Sequence, residues 1–149
     1  MKRFVIFPLI VSVFLIVCGY NKSNIESMEL EKWHFAYTFL LTELNNQNYK
    51  LIASINNENI DTVKKVINEN NLNLEIEDYS NLEKHSDLCN YSKSTKRLVV
   101  VISVLKRDEK KYYISYYIGP EGGASKEIEI VKRKGRWTVA NDDGRWAVK

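Results

Sequence analysis

The amino-acid sequence predicts an α+β domain, with N-terminal helices packed on one face of a curved antiparallel β-meander. Two observations carry the prediction. Apolar residues recur at three- and four-residue steps from Ile25 to about Leu44, the period of a helix with one buried face. From Leu72 onward the period falls to two, and β-branched and aromatic runs are separated by short polar turns. Two helices, one strand, a loop and then four or five strands is the order of an α+β sandwich with helices on one face of a curved sheet.

Each element has its own justification. In the first helix Leu30, Trp33, Tyr37, Leu40, Leu41 and Leu44 form one stripe. Ser23 or Asn24 can cap its start, and Glu26, Glu29 and Glu31 sit in early turns, where the helix dipole favours anions. Asn-Asn-Gln-Asn at 45–48 ends it. A short helical piece is expected at Tyr49–Ile55. A second helix, capped by Asn59 or Asp61, runs through Val63, Val66 and Ile67 to the Asn-rich stop at 68–71. Leu72, Leu74 and Ile76 alternate with polar residues as in a half-buried strand. Residues 80–95 are polar and irregular. Strands are then expected over 96–107, 110–119 and 125–134, with Gly122-Gly123 supplying positive φ for the turn before the third. The doubled Gly-Arg-Trp of "GRWTVANDDGRW" (135–146) reads as a terminal hairpin turning at Asp-Asp-Gly. That pairing places Trp137, Val139, Trp146 and Val148 on the core face and Arg136 and Arg145 on the other.

The front of the chain has a separate logic. Lys2 and Arg3 precede an uncharged run from Phe4 to Val17, shorter than the ~20 residues of a bilayer span but right for the apolar region of a secretory signal. Leu15, Ile16, Val17 and Cys18 resemble the lipobox of bacterial lipoproteins. Leu15 and Cys18 suit it, whereas Val17 departs from the small residue usual before the Cys. The resemblance implies removal of 1–17, a diacylglyceride and acyl anchor on Cys18, a tether over 18–24 and a single α+β domain over 25–149. It also implies secretion, with the chain held at the outer membrane or at the outside of the plasma membrane. Gly19, where inner-membrane lipoproteins of enteric-type bacteria tend to carry Asp, would permit outer-membrane sorting. An uncleaved N-terminal anchor gives the same placement. The element order of the body is weakly similar to that of cystatin-like and NTF2-like domains, a likeness that implies little about function.

The formal charge of +3 falls to about +1 once Lys2 and Arg3 leave, which makes no case for nucleic acid. Lys106, Arg107, Lys110 and Lys111, and again Lys132, Arg133 and Lys134, fall at the expected hairpin tips. With Cys18 used by lipid, Cys89 is odd and no internal disulfide framework is available. The apolar core must then do the stabilising.

Catalytic chemistry finds little purchase. There is no G-x-S-x-G elbow, and the only histidines are His34 and His85. His34 adjoins the apolar stripe and reads as a packed, half-buried side chain. His85, Asp87 and Cys89 lie close in sequence but lack further ligands for a metal or a catalytic dyad. "GPEGGAS" (119–125) is neither a dinucleotide nor a Walker loop. Glu75 and Glu77, like Glu127 and Glu129, fall on the solvent side of their strands. No catalytic residue, metal site or cofactor is therefore expected.

The tyrosines offer the best hint of function. "YYISYY" (112–117) puts Tyr112, Ile114, Tyr116 and Ile118 on one face, and Tyr113, Ser115 and Tyr117 on the other. One face should be core. The other then shows two aromatics beside Lys and Arg, the residue types enriched where proteins dock. The expectation is a non-catalytic, lipid-anchored envelope protein that binds another protein through Tyr113 and Tyr117, in one version an inhibitor or immunity-type lipoprotein. The alternatives are a small-ligand carrier or minor enzyme using a pocket lined by His34 or Tyr37, and a structural envelope component.

Overall fold

The computed structural model describes residues 6–55, 59–84, 89–119, 122–140, 142 and 145–148, with side chains from residue 24 onward except that of Lys84. His85 and Asp87 lie outside the described residues, as does the side chain of Cys18. The chain forms two compact units, Met1–Trp33 and His34–Lys149. Helix α1 (Ile6–Asn46) runs through both and includes the stretch expected as a tether. In the first unit Lys32 pairs with Glu29 at 2.7 Å, one helical turn apart. Leu30, placed on the buried stripe by the sequence pattern, is instead 62% exposed. Among the described residues no helix is long and apolar enough to cross a membrane.

The second unit holds the α+β architecture that the periodicity predicts. Its sheet is strongly curled into a half-barrel. The strand order is β2 (Glu75–Ile76), β1 (Leu51–Ser54), β5 (Val100–Lys106), β6 (Lys111–Gly119), β7 (Gly122–Arg133) and β8 (Arg136–Ala140), and β9 (Ala147–Val148) also pairs with β7. From β5 to β8 the pairing is an antiparallel meander between chain neighbours. A two-stranded ribbon, β3 (Leu82–Lys84) with β4 (Asn90–Ser92), forms a second sheet within the stretch expected to be irregular.

The expected helical piece at 49–55 is a strand. β1 pairs in parallel with both β2 and β5, so the meander is extended by a parallel segment. β1 is covered on both faces: all four of its residues are buried, and Leu51 and Ala53 cluster with Val99 and Leu82. Its short apolar run lacks the alternation that would mark it, and periodicity alone cannot separate such a run from a helix. Helix α2 (Ile60–Glu69) makes the crossover between β1 and β2. Asn59 is its N-cap residue but makes no side-chain capping bond.

Both helices stop as their asparagines predict. Asn48 and Asn71 adopt left-handed backbone (φ 62° and 50°). After α1 the Tyr49 amide bonds back to the Leu44 carbonyl at 3.1 Å, and after α2 Leu72 bonds to Ile67 at 3.0 Å. The later half of α1 lies on the core face. Ala36, Tyr37, Leu40, Leu41 and Leu44 are fully buried, as are Ile102, Val104, Tyr112 and Ile114 of the sheet. His34 Nε2 lies 2.8 Å from Glu69 Oε2, tying α1 to α2. Both helices therefore cover the same side of the sheet.

Two turn readings change. Gly122 and Gly123 are in β7, paired with Gly119 and Tyr117, and neither has positive φ. What Gly123 supplies is room, because a Cβ there would strike the Tyr116 carbonyl oxygen and meet Tyr117 Cδ1 at 3.0 Å. The positive φ values fall instead at Lys134 (50°) and Gly135 (78°), the two-residue turn from β7 to β8.

The terminal hairpin does not form. β8 pairs with Glu129–Arg133 of β7, and β9 continues in the same direction along the same edge, Ala147 opposite Ser125 and Val148 opposite Ala124. Trp137 and Val139 are half-buried, and Val148 is 80% exposed rather than core. Of the turn itself, Asn141, Asp143 and Gly144 lie outside the described residues.

Candidate functional site

The meander fixes which side chains share the face turned away from the helices. Directly opposed residues in an antiparallel ladder point the same way. On this outer face Leu105 opposes Tyr113, which opposes Glu127. Ser103 opposes Ser115, which opposes Ser125. Val101 opposes Tyr117, which opposes Gly123. The three serines are buried, Tyr113 and Tyr117 are half-buried, and Leu105 is 43% exposed. A row of small polar residues is thus flanked on each side by a tyrosine.

Each tyrosine has a local support. The Arg107 guanidinium lies 5.2 Å from the centre of the Tyr113 ring, a cation–π contact that extends the hairpin tip over the strip. Tyr117 lies against Gly123, so its ring covers backbone that glycine leaves bare. At the margin Lys111 pairs with Glu127 at 3.3 Å, and this contact raises the Lys111 ammonium above its ordinary value. The tip is held by Asp108, whose carboxylate accepts from the Lys110 and Lys111 amides at 2.9 and 2.8 Å. Those bonds hold its carboxyl below the usual range. The basic residues expected at the two hairpin tips are at hairpin tips.

The opposite face of β6 is core, as the alternation requires: Tyr112 and Ile114 are fully buried and Tyr116 is nearly so. At its far end lies a polar and aromatic cluster that the sequence reading did not single out. Lys126, opposite Ile114, points to the helix side with Ile128 and Ile130. Its side chain is 7% exposed and contacts the Asp142 carboxylate. The ammonium lies 5.8 Å from the Phe39 ring centre and 6.0 Å from that of Trp146. Phe39 and Trp146 stack at 6.5 Å, and Tyr116 meets Trp146 edge-on at 5.6 Å. Tyr49 lies 6.0 Å from Tyr116, whose hydroxyl donates to Gln47 Oε1 at 3.1 Å. Burial and the neighbouring Tyr116 push the Tyr49 phenol up. The alternation of "SKEIEIV" contained this signal, since Lys126 has the parity of Ile128 and Ile130.

The residues proposed for a pocket have internal partners. Burial pushes the Tyr37 phenol up, and the Ser54 and Asn59 side chains beside it act in the opposite sense. His34 is half-buried and paired with Glu69. Cys89 is half-buried just before β4. Among the described residues no group of three or more His, Cys, Asp and Glu side chains converges as metal ligands.

Comparison of the chain with protein-family models, with curated proteins and with solved structures finds no match. The function must be argued from the domain's own surfaces.

Proposed function

We propose that the chain is a small, secreted, lipid-anchored protein of the cell envelope whose α+β domain binds another protein and performs no catalysis. Cys18 carries the lipid, and the outer face of β5–β7 around Tyr113 and Tyr117 is the docking surface. One observation carries the reading. Leu105, Tyr113 and Tyr117 stand together on the face of the sheet opposite both helices, around buried serines and beside Arg107 and Lys111. Aromatic anchors at the centre with charge at the rim is the composition of docking patches. The pairing of His34 with Glu69 favours this reading over a small-ligand pocket lined by that histidine. An inhibitor or immunity-type role is the specific version that fits a tethered binder without catalytic groups.

The test is photocrosslinking in cells from position 113 or 117, with a crosslinker at Lys134 in the β7–β8 turn as control. A discrete protein adduct from the strip and none from the control is the expected result. No adduct from either strip position sinks the docking surface. Lipid labelling that disappears in Cys18→Ser is expected, and labelling that persists would rule out thioether lipidation there.

A further inference from the structure

The outer edge of β7 is occupied in an uneven way. Its C-terminal half pairs with five residues of β8, its N-terminal half with only the two residues of β9. From Ala140 to Ala147 the outer chain advances seven residues, while β7 retreats four, from Glu129 to Ser125. The connection therefore has three more residues than the stretch of β7 beside it. Among the described residues the pairing skips Lys126, Glu127 and Ile128. Such a short pairing adds little protection to a sheet edge, and an open edge is a template for another strand.

What touches this edge defines what it recognises. Two side chains of the terminal stretch converge on one point, Asp142 by its carboxylate and Trp146, four residues later, by its indole. Both meet Lys126, which β7 holds on the helix side of the sheet. The parity of β9 explains the second contact. Val148 opposes Ala124 on the core side and Ala147 opposes Ser125 on the outer side, so Trp146 returns to the core side beside Lys126. There it fills the space between Phe39 of α1 and Tyr116 of β6. Beyond it Val148 is 80% exposed. The terminal stretch is thus bound as a short peptide would be: backbone to the edge, carboxylate to an ammonium, indole into an aromatic slot.

We propose that the N-terminal half of the β7 edge, with Lys126, Phe39 and Tyr116 beside it, is a strand-addition site for an extended segment of a partner protein that carries a carboxylate four residues ahead of an aromatic side chain. Asp142 and Arg145–Val148 occupy it in the free protein. This surface lies on the helix side and is separate from the Tyr113/Tyr117 strip. A partner segment gains the ladder bonds and the same two anchors, and it must displace a stretch held by only two ladder residues. Because the resident segment is tethered, it competes at high effective concentration, so the site is selective for partners that extend the ladder past Ser125 toward Ile128.

The probe is a fluorescently labelled peptide of the chain's own residues 142–148, Asp-Asp-Gly-Arg-Trp-Ala-Val. Binding is read by anisotropy to the full chain and to its Asp142→Asn/Trp146→Ala variant. The variant should bind saturably. The unaltered chain should bind at least about tenfold more weakly, because the competent state is mostly occupied from within. A control peptide with Asn for the first Asp and Ala for the Trp should bind neither. A variant that keeps its far-ultraviolet circular dichroism but binds both peptides alike, or neither, overturns the proposal. Amide exchange on the unaltered chain gives an independent check that needs no variant. The Trp146–Val148 amides should exchange at least about a hundredfold faster than the β6 ladder amides of Ile114 and Tyr116. Equal protection would mean that the edge opens only when the whole domain unfolds, and would also overturn the proposal.

Discussion

Gly123→Ala should destabilise the domain although its backbone lies in an ordinary region. The added Cβ would sit 3.0 Å from Tyr117 Cδ1 and 3.1 Å from Tyr117 Cα, and closer still to the Tyr116 carbonyl oxygen. Two of these three atoms are main chain, so no rotamer change clears them. β6 and β7 must instead separate where Tyr117 opposes Gly123 and Tyr116 opposes Ala124. Overpacking of this kind costs about 1–3 kcal/mol, and a weakened ladder hydrogen bond adds about 1 kcal/mol. The sum, about 2–4 kcal/mol, is a large part of the ~5–15 kcal/mol that holds a small domain together. Urea unfolding followed by tryptophan fluorescence and circular dichroism should show a lower midpoint with unchanged slope. Gly135→Ala is the comparator. Its φ is +78° and nothing lies within 4 Å of the added atom, so only the left-handed backbone penalty of about 1–2 kcal/mol applies. A Gly123→Ala protein as stable as the unaltered chain, or less affected than Gly135→Ala, would refute the close-approach account. The same substitution should also disturb Tyr117 and reduce crosslinking from that position.

Ile114→Ala removes a fully buried side chain from the middle of β6 and should cost about 2–5 kcal/mol, read as a lower urea midpoint. A loss below about 1 kcal/mol would mean that the α1–sheet core is not packed at that point. Stability should fall in acid. Hydrogen bonds from Ser92 and then Asn81 depress the Glu77 carboxyl, and local bonds depress Asp78 and Asp108. Groups depressed in the folded state stabilise it above the unfolded carboxylate value of about 4, and that contribution is lost as pH falls through the lower folded values. Asp108→Ala should therefore lower the urea midpoint at pH 7, and its difference from the unaltered chain should shrink toward pH 2. A difference that stays constant with pH would remove the charged cap of the β5–β6 tip from the account.

How much of this was legible depended on whether burial was one-sided. The later part of α1 buries one stripe, so Tyr37, Leu40, Leu41 and Leu44 announced it. β6 buries its large side chains on one face, with only the small Ser115 buried on the other, so "YYISYY" separated Tyr112, Ile114 and Tyr116 from Tyr113 and Tyr117 correctly. β1 is buried on both faces between two parallel neighbours, so its four residues show no period. The exposed Leu30 marks the opposite failure, an apolar residue at helical spacing without a burying partner within its own element.

The terminal strands show why face and partner are different questions. A period of two fixes which residues share a side, but it is silent on which edge they meet. Trp146 and Val148 have one parity whether β9 folds back on β8 or continues along β7. Asp-Asp-Gly favoured the fold-back on local grounds. What outweighs it in the observed pairing is non-local: β7 has twelve residues, and β8 covers only five of them. A hairpin would leave the edge at Ala124 and Ser125 bare and would carry Trp146 away from Phe39 and Tyr116. Continuing along β7 covers that edge, seats the indole and brings Asp142 to a lysine already fixed on the core side. The position of Lys126 follows from alternation with Ile128 and Ile130. Its partners do not, because they come from α1 and from the terminal stretch after β8, far from Lys126 in the chain. The binding chemistry proposed for the β7 edge rests on that non-local choice, which makes the exchange rate of the Trp146–Val148 amides its most direct physical measure.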